Sequence, residues 1–420
     1  MNTYHILLFL SLAALSACKK ANSSNANPPI HEDIFEETAA IRESDIFSEC
    51  NIYDNNLSNI ASEIDFIPLS IEPPLNDFHI LDIKLTDDYI FLSEMYKILQ
   101  YSKQGQYIKD IGSRGMGPKE YVQLSPPLQI DEENKLLYAV DRGRDRVIAY
   151  NFDGALHHAF STHYANSCMS LLDSSIIAFR QSSTDRYSQN HSSFITFIST
   201  EGKQIRTYNS YLYPIPFENA RFSPESSPLW KHNNKFYYLE YGADTIFQIL
   251  KDSIIPAKVI KGTLKPKLME LLQEDTGSKL RIVGQILRPD AAIFESDNFI
   301  IFKMTNDYES FYLSYHKDAK TYHRTFYNNP PVRKKTGANT GTKIMDFFID
   351  DIVSGISFAP QYQSQDKAMA LIPAITVMEQ KNEILKFIAA NPSKQGTQLK
   401  EIIENMTEDD NPIIMTVKFK

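Results

Sequence analysis

A glycine-rich stretch, GSRGMGPKEY at residues 112–121, has a composition that could bind phosphate. A phosphate loop of the Walker type needs the pattern G-x-x-x-x-G-K-[ST] directly before a helix, where backbone N–H groups face the anion. Here the last glycine is followed by Pro118, and the prolines at 126–127 disfavour a helix interior soon afterwards. GANTGTK, residues 337–343, also departs from the pattern, because its glycines are one residue too close. We therefore interpret residues 112–121 as a connector whose glycines form tight turns of positive φ.

Two other groups of polar residues could carry chemistry. His157 and His158 could ligate a metal, but they fall on a predicted strand, where adjacent side chains point to opposite faces. One ion could not easily bind both, so we favour a structural role. Asp141, Asp145 and Arg146 lie in a predicted hairpin, and we interpret them as turn-capping residues and an ion pair between strands rather than as ligands.

The elements that must position these residues form a repeat. The segment KLLYAVDRGRDRVIAYNFDG, residues 135–154, alternates apolar and polar positions in two runs separated by a polar turn, which predicts two β-strands. The segment NKFYYLEYGADTIFQILKDS, residues 234–253, aligns with it without a gap at an offset of 99 positions. This offset corresponds to two repeats of 49 or 50 residues, a period typical of a β-propeller.

Turns recur at nearly the same interval along the chain. The turn positions Gly105, Gly154, Gly202 and Ser253 are separated by 49, 48 and 51 residues. The next turn, at Ala319, follows after 66 residues, and helical spacing of leucines within residues 265–287 predicts an inserted helix that explains the excess.

These intervals predict an all-β fold, a six-bladed β-propeller with small helical insertions. A helical segment is predicted at residues 380–406, and the strands Ile64–Leu69 and Ile413–Phe419 are predicted to complete the last blade together, which closes the ring and removes two open sheet edges. The predicted innermost strands of the six blades start near Phe78, Leu128, Cys168, Pro228, Ala291 and Asp346.

The amino-terminal residues predict export. Ile6–Leu15 is an apolar run with the length of a secretory h-region, and the following Leu-Ser-Ala-Cys resembles a bacterial lipobox ending at Cys18. We predict a signal peptide at residues 1–17, a lipid-anchored tether and lead-in at 18–59 and the propeller at 60–420. The alternative is an ordinary signal peptide followed by an incidental cysteine. Since no acidic residue directly follows Cys18, resemblance to lipoprotein sorting rules favours the outer membrane.

Net charge and cysteine content limit which partners, metals and disulfides the sequence can support. The formal net charge of −9 argues against nucleic acid, whose binding proteins carry a basic face. No cysteine and histidine spacing indicates a zinc site, and no cofactor can be named. Cys50 and Cys168 remain after Cys18, and an oxidising envelope compartment would permit a disulfide between them, but two separate thiols are an equal alternative.

The stretches YSKQGQYIKDIGSRGMGPKEY and LQIDEENKLLYAVDRGRDRVIAYNFDG, with the tail EDDNPIIMTVKFK, resemble the six-bladed β-propeller lipoproteins of bacterial envelopes, relatives of the NHL-repeat and TolB-like propellers. The resemblance covers nearly all of the chain after Asn59. It implies a lipid-anchored, ring-shaped protein and supplies no catalytic residues.

Two functional classes follow. The first, which we favour, is a non-catalytic scaffold that binds a glycan, a peptide or an envelope protein at the mouth of the central channel. The second is a propeller-type hydrolase or lyase, which would need paired carboxylates or clustered histidines around the axis. The ligand-binding candidates lie in predicted loops between blades and are Arg114, Glu120, Tyr121, Arg221, Trp230, Arg288 and Asp290.

Overall fold

A computed structural model describes residues 36–37, 52–53, 56–76, 79–162, 168–180, 193–209, 229–239, 245–250, 253–259, 288–305, 309–319, 321–325, 344–345, 348–364 and 366–420. The chain is a six-bladed β-propeller, as predicted, in which six antiparallel sheets of four main strands form a ring. Among the described residues, three strands precede the first complete blade: β1 (Glu36–Glu37), β2 (Ile52–Tyr53) and β3 (Ala61–Pro68).

The first three blades follow one another along the chain, each running from its innermost to its outermost strand. Blade I contains β4 (Ile80–Leu85), β5 (Tyr89–Glu94), β6 (Lys97–Ser102) and β7 (Tyr107–Asp110). Blade II contains β8 (Leu124–Asp131), β9 (Leu136–Asp141), β10 (Arg146–Asn151) and β11 (Leu156–Ser161). Blade III contains β12 (Cys168–Asp173), β13 (Ile176–Arg180), β14 (Ser193–Ser199) and β15 (Gln204–Asn209).

The remaining blades keep this plan but add short strands. Blade IV contains β16 (Leu229–His232), β17 (Lys235–Leu239), β18 (Thr245–Ile249) and β19 (Ile254–Val259). Blade V contains β20 (Arg288–Glu295), β21 (Phe299–Thr305), β22 (Glu309–His316) and β23 (Thr321–Thr325), with β24 (Ile344–Met345) beside β22. A hairpin of β25 (Phe348–Ile349) and β26 (Ser357–Phe358) then leads to β27 (Tyr362–Ser364) and β28 (Lys367–Ile372) of blade VI.

Blade VI is completed by both ends of the propeller sequence. After three helices, α1 (Ala374–Glu379), α2 (Lys381–Ala390) and α3 (Lys394–Glu404), the final strand β29 (Ile413–Phe419) pairs with β28 on one side and with β3 on the other. The β29–β3 register runs from Ile413 opposite Pro68 to Phe419 opposite Ala61. This confirms the predicted closure, and the helices confirm the predicted helical segment at residues 380–406.

The predicted repeat is confirmed where both copies are described. β9 and β10 begin at Leu136 and Arg146, and β17 and β18 begin at Lys235 and Thr245, which preserves the offset of 99 residues. The turns before the outermost strands of blades I, II and III contain Gly105, Gly154 and Gly202, with φ of 84°, 88° and 90°. L-residues with a side chain rarely adopt this conformation, so glycine recurs there.

The hydrophobic core lies between neighbouring blades. Along β9, Leu137 and Ala139 pack in a cluster with blade I, whereas the alternate residues Tyr138 and Val140 pack in a cluster with blade III. All six residues of β9 are buried because both faces of the sheet are covered. Successive residues of a strand point to opposite faces, so each interior strand must be apolar nearly throughout.

Two expectations for the chain path need correction. The sixth innermost strand is β27, which begins at Tyr362 rather than near Asp346, because residues 348–358 form the separate β25–β26 hairpin. The buried carboxylate of Asp350 stabilises this hairpin by accepting hydrogen bonds from the backbone N–H groups of Ile352, Val353 and Ser354. Blades II and V also begin earlier than predicted, by four and three residues, at Leu124 and Arg288.

The lead-in before the propeller contributes to sheets. β1 pairs in parallel with β19, the outermost main strand of blade IV, and β2 pairs in parallel with β23, the outermost main strand of blade V. Cys168 is buried at the start of β12, near its predicted position. Cys50, Phe78, Pro228, Asp346, the predicted helix at 265–287 and residues 1–35 lie outside the described residues.

Asn411 fastens the loop after β3 to the segment before β29. Its buried side-chain amide donates hydrogen bonds to the carbonyls of Ser70 (2.6 Å), Ile71 (3.1 Å) and Pro73 (2.9 Å), and its Oδ1 accepts one from the N–H of Leu75 (2.8 Å).

We expect Asn411→Ala to lower the free energy of unfolding by about 3 kcal/mol, because the substitution leaves several backbone groups without their partner. Denaturant unfolding followed by circular dichroism measures this change. Asn405→Ala is the control: the exposed Asn405 amide donates only to Glu401 O, and its removal should cost about 0.5 kcal/mol. Equal losses for the two variants would contradict this role of Asn411.

Candidate functional site

A central cavity of about 810 Å³ is lined by the innermost strands of all six blades. We call this cavity the channel. Each blade contributes at least one side chain to the wall, for example Asp82, Gln129, Ser170, Trp230, Phe294 and Tyr362 in order from blade I to blade VI. The volume lies within the range of sites that bind small organic ligands.

Side-chain to backbone hydrogen bonds join neighbouring innermost strands around the channel. Asp82 Oδ2 of blade I accepts from Leu128 N of blade II at 2.9 Å. Gln129 Oε1 of blade II accepts from Leu171 N of blade III at 2.9 Å. Between blades VI and I, the Tyr362 hydroxyl donates to a backbone carbonyl of β4, that of Ile80, at 3.2 Å. These bonds fix the channel diameter because they connect strands that belong to different sheets.

Blades IV and V meet through a buried carboxylate that holds Trp230, a residue of the channel wall. Glu295, whose side chain has no exposed surface, accepts from the Trp230 indole N–H at 2.7 Å. Its other oxygen lies 2.7 Å from Lys258 Nζ and 2.8 Å from Lys317 Nζ. Burial raises the pKa of Glu295, but the two ammonium groups outweigh this effect and hold the pKa below its usual value of 4.5. Trp230 is thereby held in a fixed orientation, stacked on Tyr237 with ring centroids 5.7 Å apart.

The carboxylates that line the channel in the described structure mostly hold backbone or side chains in place. Burial raises the pKa of Asp82 above 3.8 despite its ion pair with Lys84 at 3.1 Å. Asp131 accepts from Asn134 N at 3.1 Å, and Asp173 accepts from Ser175 N at 2.7 Å.

Charged residues of the described channel wall lie at both of its ends. We call the end with the turns between first and second strands the turn face, and the opposite end, where chain segments join the blades, the connector face. Asp131 and Asp173 end the innermost strands of blades II and III at the turn face, where Glu132 and Glu133 follow. Arg180 lies at the connector face, since it pairs with Cys168, the first residue of β12.

The connector at residues 112–121 lies on the connector face but does not line the channel in the described structure. Arg114 and Tyr121 form a backbone bridge, and the Arg114 guanidinium lies 4.0 Å from the centroid of the exposed Tyr96 ring. Tyr121 is buried, and its hydroxyl accepts from Ile98 N at 3.2 Å. Glu120 Oε2 accepts from Gly117 N at 2.6 Å.

The glycines of the connector serve two different purposes. Gly112 has a φ of 66°, as predicted for a tight turn. The prediction is wrong for Gly115 and Gly117, which do not have positive φ. A Cβ atom on these two residues would lie 2.1 Å and 2.9 Å from Glu120 Oε2, so a side chain at either position would displace the Glu120 carboxylate.

Blade II holds the connector with cationic side chains. Arg144 donates to the carbonyls of Gly117 and Met116, and Arg146 donates to those of Pro118 and Glu120. Buried Asp141 pairs with Arg146 at 3.2 Å, which confirms the predicted interstrand ion pair.

The remaining candidates are placed as follows. Trp230 lines the channel, whereas Arg288 and Asp290 lie on the innermost strand β20. Arg221 lies outside the described residues. The structure thus brings Arg114, Glu120 and Tyr121 together in the connector but places Trp230 separately, in the channel. Ligand binding by these residues stays a prediction.

The sequence did not indicate the channel residues Asp82 and Gln129, or Glu295, which holds Trp230. Asp82 and Gln129 interrupt innermost strands that are otherwise mostly apolar, and this interruption is the one signal that could have indicated them. Glu295 ends β20, and its lysine partners are distant in sequence.

The two adjacent histidines lie on β11, the outermost strand of blade II. His157 is exposed and His158 Nε2 lies 2.8 Å from Thr200 O, with the two rings on the outermost strand of blade II. Within the described ranges, no group of three or more histidine, cysteine, aspartate or glutamate residues could hold a metal ion. Of the helices that the structure describes, none has the length and apolar character needed to cross a membrane.

Comparison with known proteins identifies relatives of this ring. The family described as Domain of unknown function (DUF4934) matches residues 45–418. A structure from Bacteroides fragilis NCTC 9343, described as an exported protein, is similar with a TM-score of 0.65 and 15% identity, covering 91% of this chain and 99% of that chain. At this identity the similarity shows the fold alone. No curated protein sequence matches.

Two further structures are more distantly similar. A member of the DUF4221 family from Bacteroides vulgatus has a TM-score of 0.41 and 10% identity over 86% of this chain and 97% of that chain. Virginiamycin B lyase from Staphylococcus aureus has a TM-score of 0.38 and 12% identity over 64% of this chain and 77% of that chain. These scores support no functional argument.

We expect Glu295→Gln to lower the free energy of unfolding at pH 7 by about 3 kcal/mol, because the substitution leaves two lysines beside a neutral amide. The pKa of Glu295 is depressed in the folded state, so its stabilising effect is present above pH 4.5 and is lost as the pH falls through the lower folded pKa. The difference between variant and wild type should therefore shrink below pH 4.5.

Denaturant titrations at pH 7 and at low pH measure this difference. The control is Glu133→Gln, which removes an exposed carboxylate from the channel wall and should change stability little at either pH. A Glu295→Gln effect that is the same at both pH values would show that the carboxylate charge does not stabilise the interface of blades IV and V.

Proposed function

Because the chain belongs to the Domain of unknown function (DUF4934) family, its activity must be inferred from the site, and we propose that it is an exported, lipid-anchored binding protein of the cell envelope. Its ligand site is the channel, and its partner is a glycan, a peptide or an envelope protein. The observation that carries this proposal is the 810 Å³ cavity, walled by all six blades and held open by hydrogen bonds between their innermost strands.

The state of the channel carboxylates supports binding rather than catalysis. A hydrolase with two carboxylates needs one to hold a proton and another to act as base or nucleophile on the same bond. Asp82 is committed to Leu128 N and Lys84, and Glu295 is committed to Trp230 and two lysines. Asp82 in the channel wall and Glu295 behind Trp230 thus hold neighbouring blades together.

The proposed location in the cell envelope is supported by the amino-terminal sequence and by the similar Bacteroides fragilis protein. Ile6–Leu15 has the character of a secretory h-region and the lipobox ends at Cys18. The similar Bacteroides fragilis protein is described as exported. Acylation of Cys18 would bind the protein to a membrane, with the outer membrane favoured by the residues that follow.

We expect ligands of the channel to change the intrinsic fluorescence of the protein. Trp230 is the single tryptophan, it lines the channel and it is only 4% exposed. Titration with oligosaccharide and peptide collections, followed by tryptophan emission and by calorimetry, should therefore identify binders through a saturable spectral change. Binding detected by calorimetry without any change in emission would argue against the channel as the site.

Matched variants identify the location of binding. Gln361→Trp places a bulky side chain in the channel wall at an exposed position and should abolish binding. Gln106→Trp makes the same change at an exposed turn of blade I outside the channel and should leave binding unchanged. If Arg114→Ala abolishes binding while Gln361→Trp does not, the ligand binds at the connector and the channel assignment is wrong.

We expect wild-type protein expressed in a Gram-negative host to incorporate labelled fatty acid and to sediment with the outer membrane. Cys18→Ser should abolish the label and release the protein from the membrane fraction, since a thioether-linked lipid requires the cysteine sulfur. A Lys19→Ser substitution at the neighbouring position is the control and should retain the label. A wild-type protein that does not incorporate the fatty acid would contradict the proposed lipid anchor.

A further inference from the structure

A second cavity, of about 800 Å³, lies outside the channel, where blade VI meets blade I and helix α3. We call this cavity the rim groove. Blade I contributes residues such as Leu85, Tyr89 and Lys103 to its lining, and α3 contributes Glu401 and Ile402. The third contributor is β3, the outermost strand of blade VI.

The rim groove extends along the outer edge of β3. Residues 65–68 of this strand line it without interruption, although successive residues of a strand point to opposite faces of the sheet. A cavity that contacts both faces of an outermost strand also passes its outer edge. In the described structure β3 pairs with β29 alone, so this edge has no neighbouring strand.

Phe66 presents backbone hydrogen-bonding groups at this edge. Leu69 N donates to Pro412 O at 3.4 Å, and Ile67 lies opposite Ile414. In an antiparallel pair, residues that bond to the partner strand alternate with residues whose N–H and C=O point away from it. Phe66 therefore directs its N–H and C=O away from β29, toward the side on which the described strands supply no partner.

The chain itself shows that outer blade edges of this ring accept extended segments. β1 adds in parallel to β19 of blade IV, and β2 adds in parallel to β23 of blade V. Blade VI is the next blade in the ring, and the rim groove leaves space beside its outermost strand. An extended segment at this edge would repeat the arrangement of the two preceding blades.

Some charged residues of the rim groove already have partners. Asp65 Oδ2 lies 3.3 Å from Lys367 Nζ. Asp410 Oδ2 accepts a hydrogen bond from Thr407 N at 3.0 Å. These two carboxylates are therefore occupied within the protein.

Two further carboxylates are available to a ligand. Asp87 on blade I and Glu401 on α3 are exposed, line the rim groove and form no ion pair with other described residues. Lys103 is the cation of the lining that also lacks an ion pair within the described residues. The available charge is therefore acidic on balance, which favours a ligand with basic groups.

The lining also offers partly exposed apolar surface. Phe66, Tyr89 and Ile402 are each half-buried and contribute to the rim groove. The side chains of an added strand alternate in direction, so apolar and basic residues of one segment could contact this surface and the carboxylates respectively.

We propose that the rim groove binds an extended basic peptide segment of a partner protein, which adds as a further strand to the outer edge of β3. Backbone hydrogen bonds to Phe66 hold the segment in register. Its apolar side chains contact Tyr89 and Ile402, and a lysine or arginine of the segment pairs with Asp87 or Glu401. The rim groove is separate from the channel, so this inference adds a second site and does not rest on the ligand proposed for the channel.

The test uses the full mature protein and a library of heptapeptides whose termini are acetylated and amidated. Peptides selected on wild-type protein are measured by calorimetry against two variants of α3. Gln398→Trp places a bulky side chain in the rim groove at an exposed position, and Lys400→Trp makes the same change at an exposed position outside it. We expect a set of basic peptides whose binding is abolished by Gln398→Trp and unchanged by Lys400→Trp.

Methylation of backbone nitrogens tests strand addition. Only every second residue of an added strand directs its N–H toward the neighbouring strand. Methylation of one alternate set of residues should therefore weaken binding about tenfold, because it removes hydrogen-bond donors, and methylation of the other set should leave the affinity unchanged. Equal effects of the two sets would overturn strand addition.

Removal of single carboxylates tests the charge preference. We expect Glu401→Gln to weaken binding of the basic peptides about threefold, the size of an exposed ion pair. Glu404→Gln, which removes an exposed carboxylate of the same helix outside the rim groove, is the control and should leave binding unchanged. Selection of acidic peptides in place of basic ones would contradict the proposed partner.

The outcomes separate this inference from the proposed function. Gln361→Trp in the channel should not affect peptides that bind the rim groove, so loss of one site does not imply loss of the other. If no selected peptide distinguishes Gln398→Trp from Lys400→Trp, the rim groove is not a peptide site. A dimer of this chain that dissociates only with Gln398→Trp would show that a second copy occupies the groove, and would also overturn the proposal.

Discussion

The structure depends on closure of the ring at blade VI. Both faces of a blade are apolar and are buried by neighbouring blades, so an open ring would expose two such faces to water. β29 prevents this by pairing with β28 and with β3, which joins the two ends of the propeller sequence through backbone hydrogen bonds. The buried Asn411 reinforces the junction.

The channel follows from this arrangement. Six innermost strands brought together around an axis leave a space that their side chains only partly fill. Polar side chains such as Asp82 and Gln129 connect these strands across blade boundaries. The same residues line the cavity, so the side chains that stabilise the ring also form the surface of the channel.

Much of the fold could be predicted from the sequence because its signals are local. The alternation of apolar residues that indicates a strand can be recognised from neighbouring residues, and so can the glycine in the turn before an outermost strand. The constant repeat length then gives the order of the blades. The start of blade VI could not be predicted, because the β25–β26 hairpin depends on the capping role of Asp350. The site was harder to predict: Trp230 was identified, but the Glu295 interactions join residues distant in sequence, and their convergence depends on the packing of blades IV and V.

The pairing of β3 with β29 has a consequence for the order in which the protein can mature. β3 is among the first propeller strands to leave the ribosome, and β29 is the last. Until β29 is made, the backbone N–H and C=O groups of β3 lack the strand with which they form hydrogen bonds. β3 therefore cannot take its position as the outermost strand of blade VI. A chain that stops before β29 therefore leaves the edge of β3 without its partner strand.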